Sequence, residues 1–212
     1  MTLDQFEALV QSQRPAAYPW HPVTDYSFEA RKVIEGQHPQ LIKDVFQPEM
    51  VVDVGCGRDG ILLRLLADIG VHGYGLDLNI EKDYQDIGDL HGYRRDICTL
   101  FKDSRSEWQQ GDLVICREVL EHLPVRQVKM AVENMCALSS RYVYVTTRFH
   151  PQPCGLLDVA TSDDLDPTHI TMCNKDFIRL LFVLEGFKRR ADLEARMDWQ
   201  QKGRVLVYER AA

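Results

Sequence analysis

The sequence predicts an α/β fold with a doubly wound, mostly parallel sheet and helices on both faces. Short apolar runs rich in β-branched residues alternate along the chain with segments whose apolar residues recur at helical spacing. This alternation is typical of parallel strands joined by crossover helices. Near the end of the chain, two segments at 187–199 and 203–210 lie only a few residues apart. So short a connection favours an antiparallel hairpin added to the sheet.

The predicted elements follow one another in a regular order. Five apolar runs predict the parallel strands, at 50–54, 73–78, 92–96, 112–116 and 142–147. Helical spacing predicts helices at 25–34, 38–46, 60–70, 125–138 and 174–187. The sequence contains no internal repeat and no low-complexity tract, so the elements are expected to form one layered unit.

Length and composition predict a single domain. The chain has 212 residues, of which 45% are hydrophobic and 27% are charged, enough to bury one sizeable core. We therefore expect one domain over 1–212. Its first part, 1–45, is expected to form an N-terminal helical cap or lid, and 46–212 the catalytic core.

The net charge and the cysteine pattern bear on the partners and the cellular compartment that are expected for this chain. The net charge of −7 disfavours a nucleic-acid partner, because it supplies no attractive field for a polyanion. No stretch reaches the ~18 consecutive apolar residues that a membrane helix needs. The first ten residues contain acids and lack the basic residues of a signal peptide, so the cytoplasm is the expected compartment. The six cysteines form no CxxC pair and are expected to be reduced and mostly core-filling. The oligomeric state is not predicted.

A glycine-containing loop follows the first predicted strand in "VVDVGCGRDG". Gly55 and Gly57 permit a tight turn and close approach of a ligand to the backbone, and the helix that follows, expected to begin near Arg58, presents free amide groups. The spacing matches GxGxxG, so an NAD-binding oxidoreductase is one alternative. However, Asp53 lies two residues ahead of Gly55, where a carboxylate works against a pyrophosphate and favours a positively charged ligand.

Carboxylates also follow the next two predicted strands. Asp77 ends the second strand, where its oxygens can accept hydrogen bonds from both ribose hydroxyls. Asp96 and Ile97 end the third strand, where they suit an adenine amino group and the face of the ring. Three acids at successive strand ends predict a nucleoside-containing ligand at the carboxyl edge of the sheet.

Together, "VVDVGCGRDG", "GYGLDL", "RRDI" and "DLVICREVLEHLP" resemble the motifs of class I S-adenosylmethionine-dependent methyltransferases over about residues 48–210. The resemblance implies a Rossmann-like, seven-stranded sheet with an antiparallel C-terminal hairpin. It also implies S-adenosylmethionine as cofactor, with the methionine part at the loop after the first strand and the fourth strand end, the ribose on Asp77, and adenine near Leu78, Asp96 and Ile97. The implied methionine contacts are Asp53, Gly55, Cys56, Gly57, Cys116 and Arg117. One departure is that Asp59 occupies the family's third glycine position, with Gly60 one step later.

The stretch "REVLEHLP" places acidic and imidazole side chains directly after the fourth predicted strand. Glu118, Glu121 and His122 stand at i, i+3 and i+4, so a helical turn would place all three on one face. His169 comes before a helix expected to begin near Asn174. This set is similar to the metal-binding residues of small-RNA 2′-O-methyltransferases and to the acid and histidine set of ubiquinone-type O-methyltransferases. It implies a site for Mg²⁺ or Mn²⁺.

A metal-free interpretation stays open for the same residues. In it, His122 or His169 is the general base that removes the acceptor's proton, and the carboxylates cap or line the pocket. The predicted function is S-adenosylmethionine-dependent O-methylation of a small hydroxylated molecule. The alternatives are an RNA 2′-O-methyltransferase with a divalent metal, the NAD-binding oxidoreductase, and a protein that binds the cofactor without transferring a methyl group.

Overall fold

The computed structural model describes residues 35–80, 84–86, 90–100, 108–149 and 169–211. Within them, eight strands form one sheet, with the order β3-β4-β2-β1-β5-β6-β8-β7. The strands are β1 Met50–Val54, β2 His72–Asp77, β3 Tyr84–Asp86, β4 Leu90–Arg94, β5 Gly111–Arg117, β6 Ser139–Thr146, β7 Phe187–Arg189 and β8 Val205–Arg210. The helices are α1 His38–Phe46, α2 Ile61–Asp68, α3 Val125–Leu138, α4 Lys175–Leu184 and α5 Ala191–Met197, and Leu120–His122 forms a 3₁₀ turn.

The strand order confirms the predicted doubly wound sheet. Strands β1, β2, β4, β5 and β6 pair in parallel, whereas β8 runs antiparallel to both β6 and β7. The order reverses between β1 and β5, so the loops that leave these two strands flank a crevice at the carboxyl edge.

Two details differ from the expectation. A three-residue strand, β3, adds antiparallel to the edge strand β4, and no local pattern predicts so short a strand. The connection between β7 and β8 also contains a helix, α5, instead of a short hairpin loop.

Helices pack on both faces of the sheet because their apolar residues lie on one side. In α3 the buried residues Val128, Ala131, Val132, Met135 and Cys136 recur at helical spacing and face the cluster shared with α4. The opposite face is covered by α1, α2 and α5. Each fully buried aliphatic side chain of these clusters contributes about 1.5–3 kcal/mol.

Helix α1 belongs to this second layer. Its Ile42 and Phe46 are buried in the cluster against the sheet, so the predicted boundary at residue 45 falls inside a helix that packs on the core. The remainder of the predicted cap, residues 1–34 with the helix expected at 25–34, lies outside the described residues.

Gly75 of β2 leaves the space in which the side chain of Cys56, from the loop after β1, packs on that strand. A Cβ atom at Gly75 would lie 2.5 Å from Cys56 Sγ and 2.9 Å from Leu63 Cδ1. Any side chain there would displace the loop that leaves β1. The glycine therefore positions the candidate site.

The cysteines and the helix lengths can be compared with the expectations for the described part of the chain. Its five cysteines are free, and four of them are buried, which agrees with reduced, core-filling thiols. The helices of the described residues are all too short or too polar to cross a bilayer.

Candidate functional site

The loop after β1 is held at the crevice by hydrogen bonds to the end of β2. The N–H of Gly55 donates to the Leu76 carbonyl at 2.7 Å, and the N–H of Gly57 donates to Asp77 Oδ2 at 2.8 Å. Both glycines have φ near +77°, a conformation that L residues adopt at a cost. Gly60 also has a positive φ, as the N-cap of α2, so this helix begins at Ile61, three residues later than Arg58.

The predicted acids lie at adjacent strand ends. Asp53 and Asp77 are buried, and their strands are neighbours in the sheet. Asp77 accepts a second backbone hydrogen bond, from Asn79 to Oδ1 at 2.7 Å. Because each carboxylate oxygen has two lone pairs, these two bonds still leave acceptor capacity for ribose hydroxyls.

The residues predicted to contact adenine follow β2 and β4. Asp96 Oδ1 accepts a hydrogen bond from the Cys98 N–H at 2.8 Å, and Ile97 beside it is buried. Leu78 is 47% exposed, so its apolar surface is accessible next to Asp77. An apolar surface next to strand-end carboxylates is what a nucleoside needs, and these contacts stay predictions.

Cys56 and Cys116, the two cysteines among the predicted cofactor contacts, do not have reactive thiols. Burial raises the pKa of Cys56 well above its usual range, and the neighbouring carboxylates raise it further. Burial does the same for Cys116. Both side chains are therefore neutral at physiological pH and contribute shape to the site, because the thiolate is the nucleophilic form.

Arg117, the last residue of β5, forms an ion pair that the sequence analysis missed. Its two terminal nitrogens donate to Glu35 at 2.7 and 2.8 Å, and Nη1 lies 2.8 Å from His38 Nδ1. The partners lie 82 and 79 residues away along the chain, so no local spacing indicates them.

A second cluster at the crevice contains Glu121, His122 and His169. One ligand atom from each lies within 4.8 Å of the others, and the two imidazole rings are 4.8 Å apart between centroids. Glu121 is fully buried. Its Oε2 accepts a hydrogen bond from the Thr147 hydroxyl at 2.7 Å, whereas Oε1 is buried and has no hydrogen-bond partner within the described ranges. A buried carboxylate oxygen with two imidazoles beside it is a suitable donor set for a divalent cation.

Backbone hydrogen bonds bring the two parts of this cluster together. The carbonyl of Glu121 accepts from the N–H of Ile170 at 2.9 Å and from that of Thr171 at 3.1 Å. His169 is thereby fixed beside the 3₁₀ turn, although it lies 47 positions along the chain from His122. As predicted, the following helix begins next to Asn174, whose side chain accepts from the N–H of Phe177 as an N-cap.

Glu118 is placed differently from the expectation of a single helical turn. Its φ is +53°, and its N–H donates to the Thr146 carbonyl at 2.8 Å, so the helical backbone begins only at Leu120. Its carboxylate lies 3.6 Å from Arg204 Nη1 and is outside the three-residue cluster. The predicted turn is therefore wrong for Glu118. The carboxylate is still close enough to act on Glu121, because burial first and the Glu118 charge second raise the pKa of Glu121 well above its usual range.

The glycine loop and the turn after β5 are in direct contact across the crevice. A Cβ atom at Gly55 would lie 2.2 Å from Val119 Cγ2, and Gly55 also has a positive φ. We expect Gly55→Ala to lower the free energy of unfolding by about 1–3 kcal/mol through overpacking and to weaken cofactor binding. Urea unfolding and calorimetry measure the two effects.

The matched control for this prediction is the pair Gly55→Ala with Val119→Ala, which removes the clashing methyl group. The double variant should recover most of the overpacking loss and retain the smaller penalty for the positive φ. Equal losses in the single and double variants would contradict the contact.

The chain matches the family model described as a methyltransferase domain over residues 28–191. Among curated proteins it is 32% identical over 129 residues to a ubiquinone biosynthesis O-methyltransferase of Bordetella avium, covering 58% of this chain and 50% of that protein. It is 35% identical over 82 residues to the protein of the same name from Shewanella halifaxensis, covering 36% of this chain and 34% of that protein. The chain thus spans half or less of the length of these two relatives.

Solved methyltransferase structures share the fold. A sugar N-methyltransferase from Streptoalloteichus superposes with a TM-score of 0.61 at 12% identity, covering 93% of this chain and 97% of that one. Magnesium protoporphyrin IX methyltransferase from Synechocystis, solved with bound SAM, has a TM-score of 0.54 at 17% identity, covering 98% of this chain and 94% of that one. At these identities the likeness establishes the shared architecture alone.

Proposed function

Because the chain belongs to the methyltransferase domain family, and is therefore a methyltransferase that uses S-adenosylmethionine, we propose that it methylates a hydroxyl oxygen of a small molecule beside a divalent cation held by Glu121, His122 and His169. The observation that carries this proposal is the buried Oε1 of Glu121, which has no hydrogen-bond partner among the described residues and belongs to a side chain next to two imidazoles. Burial and then the Glu118 charge raise the pKa of Glu121 and so favour its neutral form, whereas a bound cation would favour the carboxylate and offset the cost of burying it.

The relatives support an oxygen acceptor. The curated proteins that match over part of the chain are named as O-methyltransferases of ubiquinone biosynthesis. The "REVLEHLP" stretch resembles the acid and histidine set of ubiquinone-type O-methyltransferases, and Glu121, His122 and His169 of the resembling set lie together. The net charge of −7 favours a small acceptor over RNA.

The residues of the chain have two tasks in this reaction. The sulfonium of the cofactor supplies an activated methyl group, so the protein must align an acceptor oxygen with it and lower the cost of removing the hydroxyl proton. The loop from Asp53 to Gly57 and the Asp77 carboxylate would hold the cofactor at the ends of β1 and β2. Glu121, His122 and His169 would hold Mg²⁺ or Mn²⁺, which lowers the pKa of an acceptor hydroxyl when bound.

The metal-free alternative assigns the proton to an imidazole. His122 or His169 would then accept the hydroxyl proton, and activity would rise with pH through roughly the reference histidine pKa of ~6.5. Glu121 would only shape the pocket. The two versions predict different responses to a chelator.

The test is methyl transfer from labelled S-adenosylmethionine to a panel of catechols, phenols, sugars, polyketides and short RNAs. We expect transfer to a hydroxylated small molecule, loss of transfer in EDTA, and recovery with added Mg²⁺ or Mn²⁺. Full activity in EDTA would refute the metal version, and transfer to RNA alone would refute the small-molecule acceptor.

A further inference from the structure

A buried polar network connects the end of β5 with the segment before α1. Glu35, which is 3% exposed, accepts both hydrogen bonds from the Arg117 guanidinium and lies 3.1 Å from His38 Nδ1. On the other side of the imidazole, His38 Nε2 lies 3.0 Å from the Tyr144 hydroxyl, and Trp199 stacks on the ring. Five residues from four parts of the chain thus form one network, in which Glu35 and His38 contact the guanidinium and Tyr144 and Trp199 contact His38.

This network lies at the crevice. Arg117 is the residue at which β5 ends, one position beyond Cys116, which pairs with Val54 at the end of β1. Asp53 adds to the electrostatic stabilisation of the guanidinium, after the larger contribution of Glu35. The edge that is proposed to receive the methionine part of the cofactor therefore contains the buried Asp53 carboxylate and the fixed Arg117 guanidinium.

The Arg117 guanidinium keeps hydrogen-bond donors for a second anion. An arginine has five N–H donors. The bonds to Glu35 use two of them, and Nη1 also lies 2.8 Å from His38 Nδ1, which leaves the Nε donor and one Nη2 donor for another ligand. A guanidinium fixed by one carboxylate in a bidentate pair keeps its remaining donors in a defined direction, whereas a free arginine side chain has many rotamers. The amino-acid end of the cofactor is a zwitterion, which suits Asp53 for its ammonium group and Arg117 for its carboxylate.

We infer that Glu35 and His38 are positioning residues for the amino-acid end of the cofactor, because they fix the Arg117 guanidinium beside Asp53 at the end of β5. The inference rests on the proposed cofactor site and adds residues that neither the sequence motifs nor the glycine loop indicates. Neutral His38 fits this role. Burial lowers its pKa, so the ring is an uncharged partner between the ion pair and Tyr144.

The experiment compares two ligands that differ only at the relevant end. S-adenosylhomocysteine carries the amino-acid part, and 5′-methylthioadenosine lacks it. We expect Glu35→Gln to weaken binding of S-adenosylhomocysteine about tenfold, because the amide cannot fix both guanidinium nitrogens. Binding of 5′-methylthioadenosine should change less than about twofold, since Glu35 is inferred to act on the amino-acid end that this ligand lacks. Calorimetry measures both affinities.

Glu194→Gln is the matched control. Glu194 is also buried and forms a bidentate pair with Arg189, but this pair lies at the edge strand β7, three strands away from β5 in the sheet. Its substitution should change the ratio of the two affinities by less than about twofold. Breaking a buried ion pair also lowers the stability of the protein. The affinities are therefore measured at a temperature at which circular dichroism shows that each variant is folded. If Glu35→Gln does not fold, His38→Gln provides the same comparison, with a smaller change of the same sign.

The outcomes separate the inference from the function on which it rests. Equal weakening of both ligands by Glu35→Gln, or no weakening of S-adenosylhomocysteine, would overturn the positioning role and leave the methyltransferase site intact. Failure of the unmodified chain to bind S-adenosylhomocysteine would overturn the cofactor site itself and the inference with it.

Discussion

Replacing Glu121 with glutamine should lower Mn²⁺ affinity and methyl transfer by on the order of 100-fold, because even partners in the outer shell of a metal site cost ~10–100-fold when removed. Glu121 supplies the one carboxylate of the three-residue cluster, and its Oε1 has no hydrogen-bond partner in the part of the chain that is described. Glutamine preserves the volume and one oxygen but removes the charge. Electron paramagnetic resonance of free Mn²⁺ measures binding without an acceptor.

The same experiment distinguishes the members of the cluster from their neighbours. His122→Ala and His169→Ala should reduce turnover far more than S-adenosylmethionine binding. Glu118→Gln should have a smaller effect than Glu121→Gln, since Glu118 is 43% exposed and faces Arg204. Glu133→Gln, in a solvent-exposed pair with Lys129 on α3, is the charge-matched control. Unchanged Mn²⁺ binding in Glu121→Gln would remove this residue from any metal site.

Asp77→Ala should weaken S-adenosylmethionine binding at least tenfold. The ribose hydroxyls are expected to donate to this carboxylate, and hydrogen bonds to a charged group are worth about 1.5–3 kcal/mol each. The carboxylate also accepts from the N–H of Gly57, so its removal releases the glycine loop from the end of β2. Both consequences act on the cofactor, and calorimetry with the purified variant measures them.

S-adenosylhomocysteine and 5′-methylthioadenosine, the two ligands used for Glu35, also test whether Asp77 acts on the ribose. Because the ribose is present in both molecules, Asp77→Ala should weaken S-adenosylhomocysteine and 5′-methylthioadenosine by similar factors. Asp68→Ala is the control, since Asp68 is exposed at the C-terminal end of α2, near the opposite edge of the sheet. Unchanged affinity in Asp77→Ala would remove Asp77 from the cofactor site.

The amino-acid sequence by itself determined the layered architecture. Apolar runs and helical spacing are local properties, because burial on one face imposes a period that can be read from neighbouring residues. The helix predicted at 125–138 has those bounds in the structure. The acids and glycines at strand ends were also evident, since chain order alone places the ends of parallel strands at one edge.

Only the tertiary structure decided which side chains meet. The pairing of Glu35 with Arg117 joins residues 82 positions apart, and sequence spacing carries no information about such a contact. Glu118 shows the limit of local rules most clearly. Its i, i+3 and i+4 spacing with Glu121 and His122 predicts one helical face, but its N–H bonds to the neighbouring strand end at Thr146 and its φ is positive. Pairing across the sheet therefore overrides helical periodicity at the position where the strand ends and the site begins.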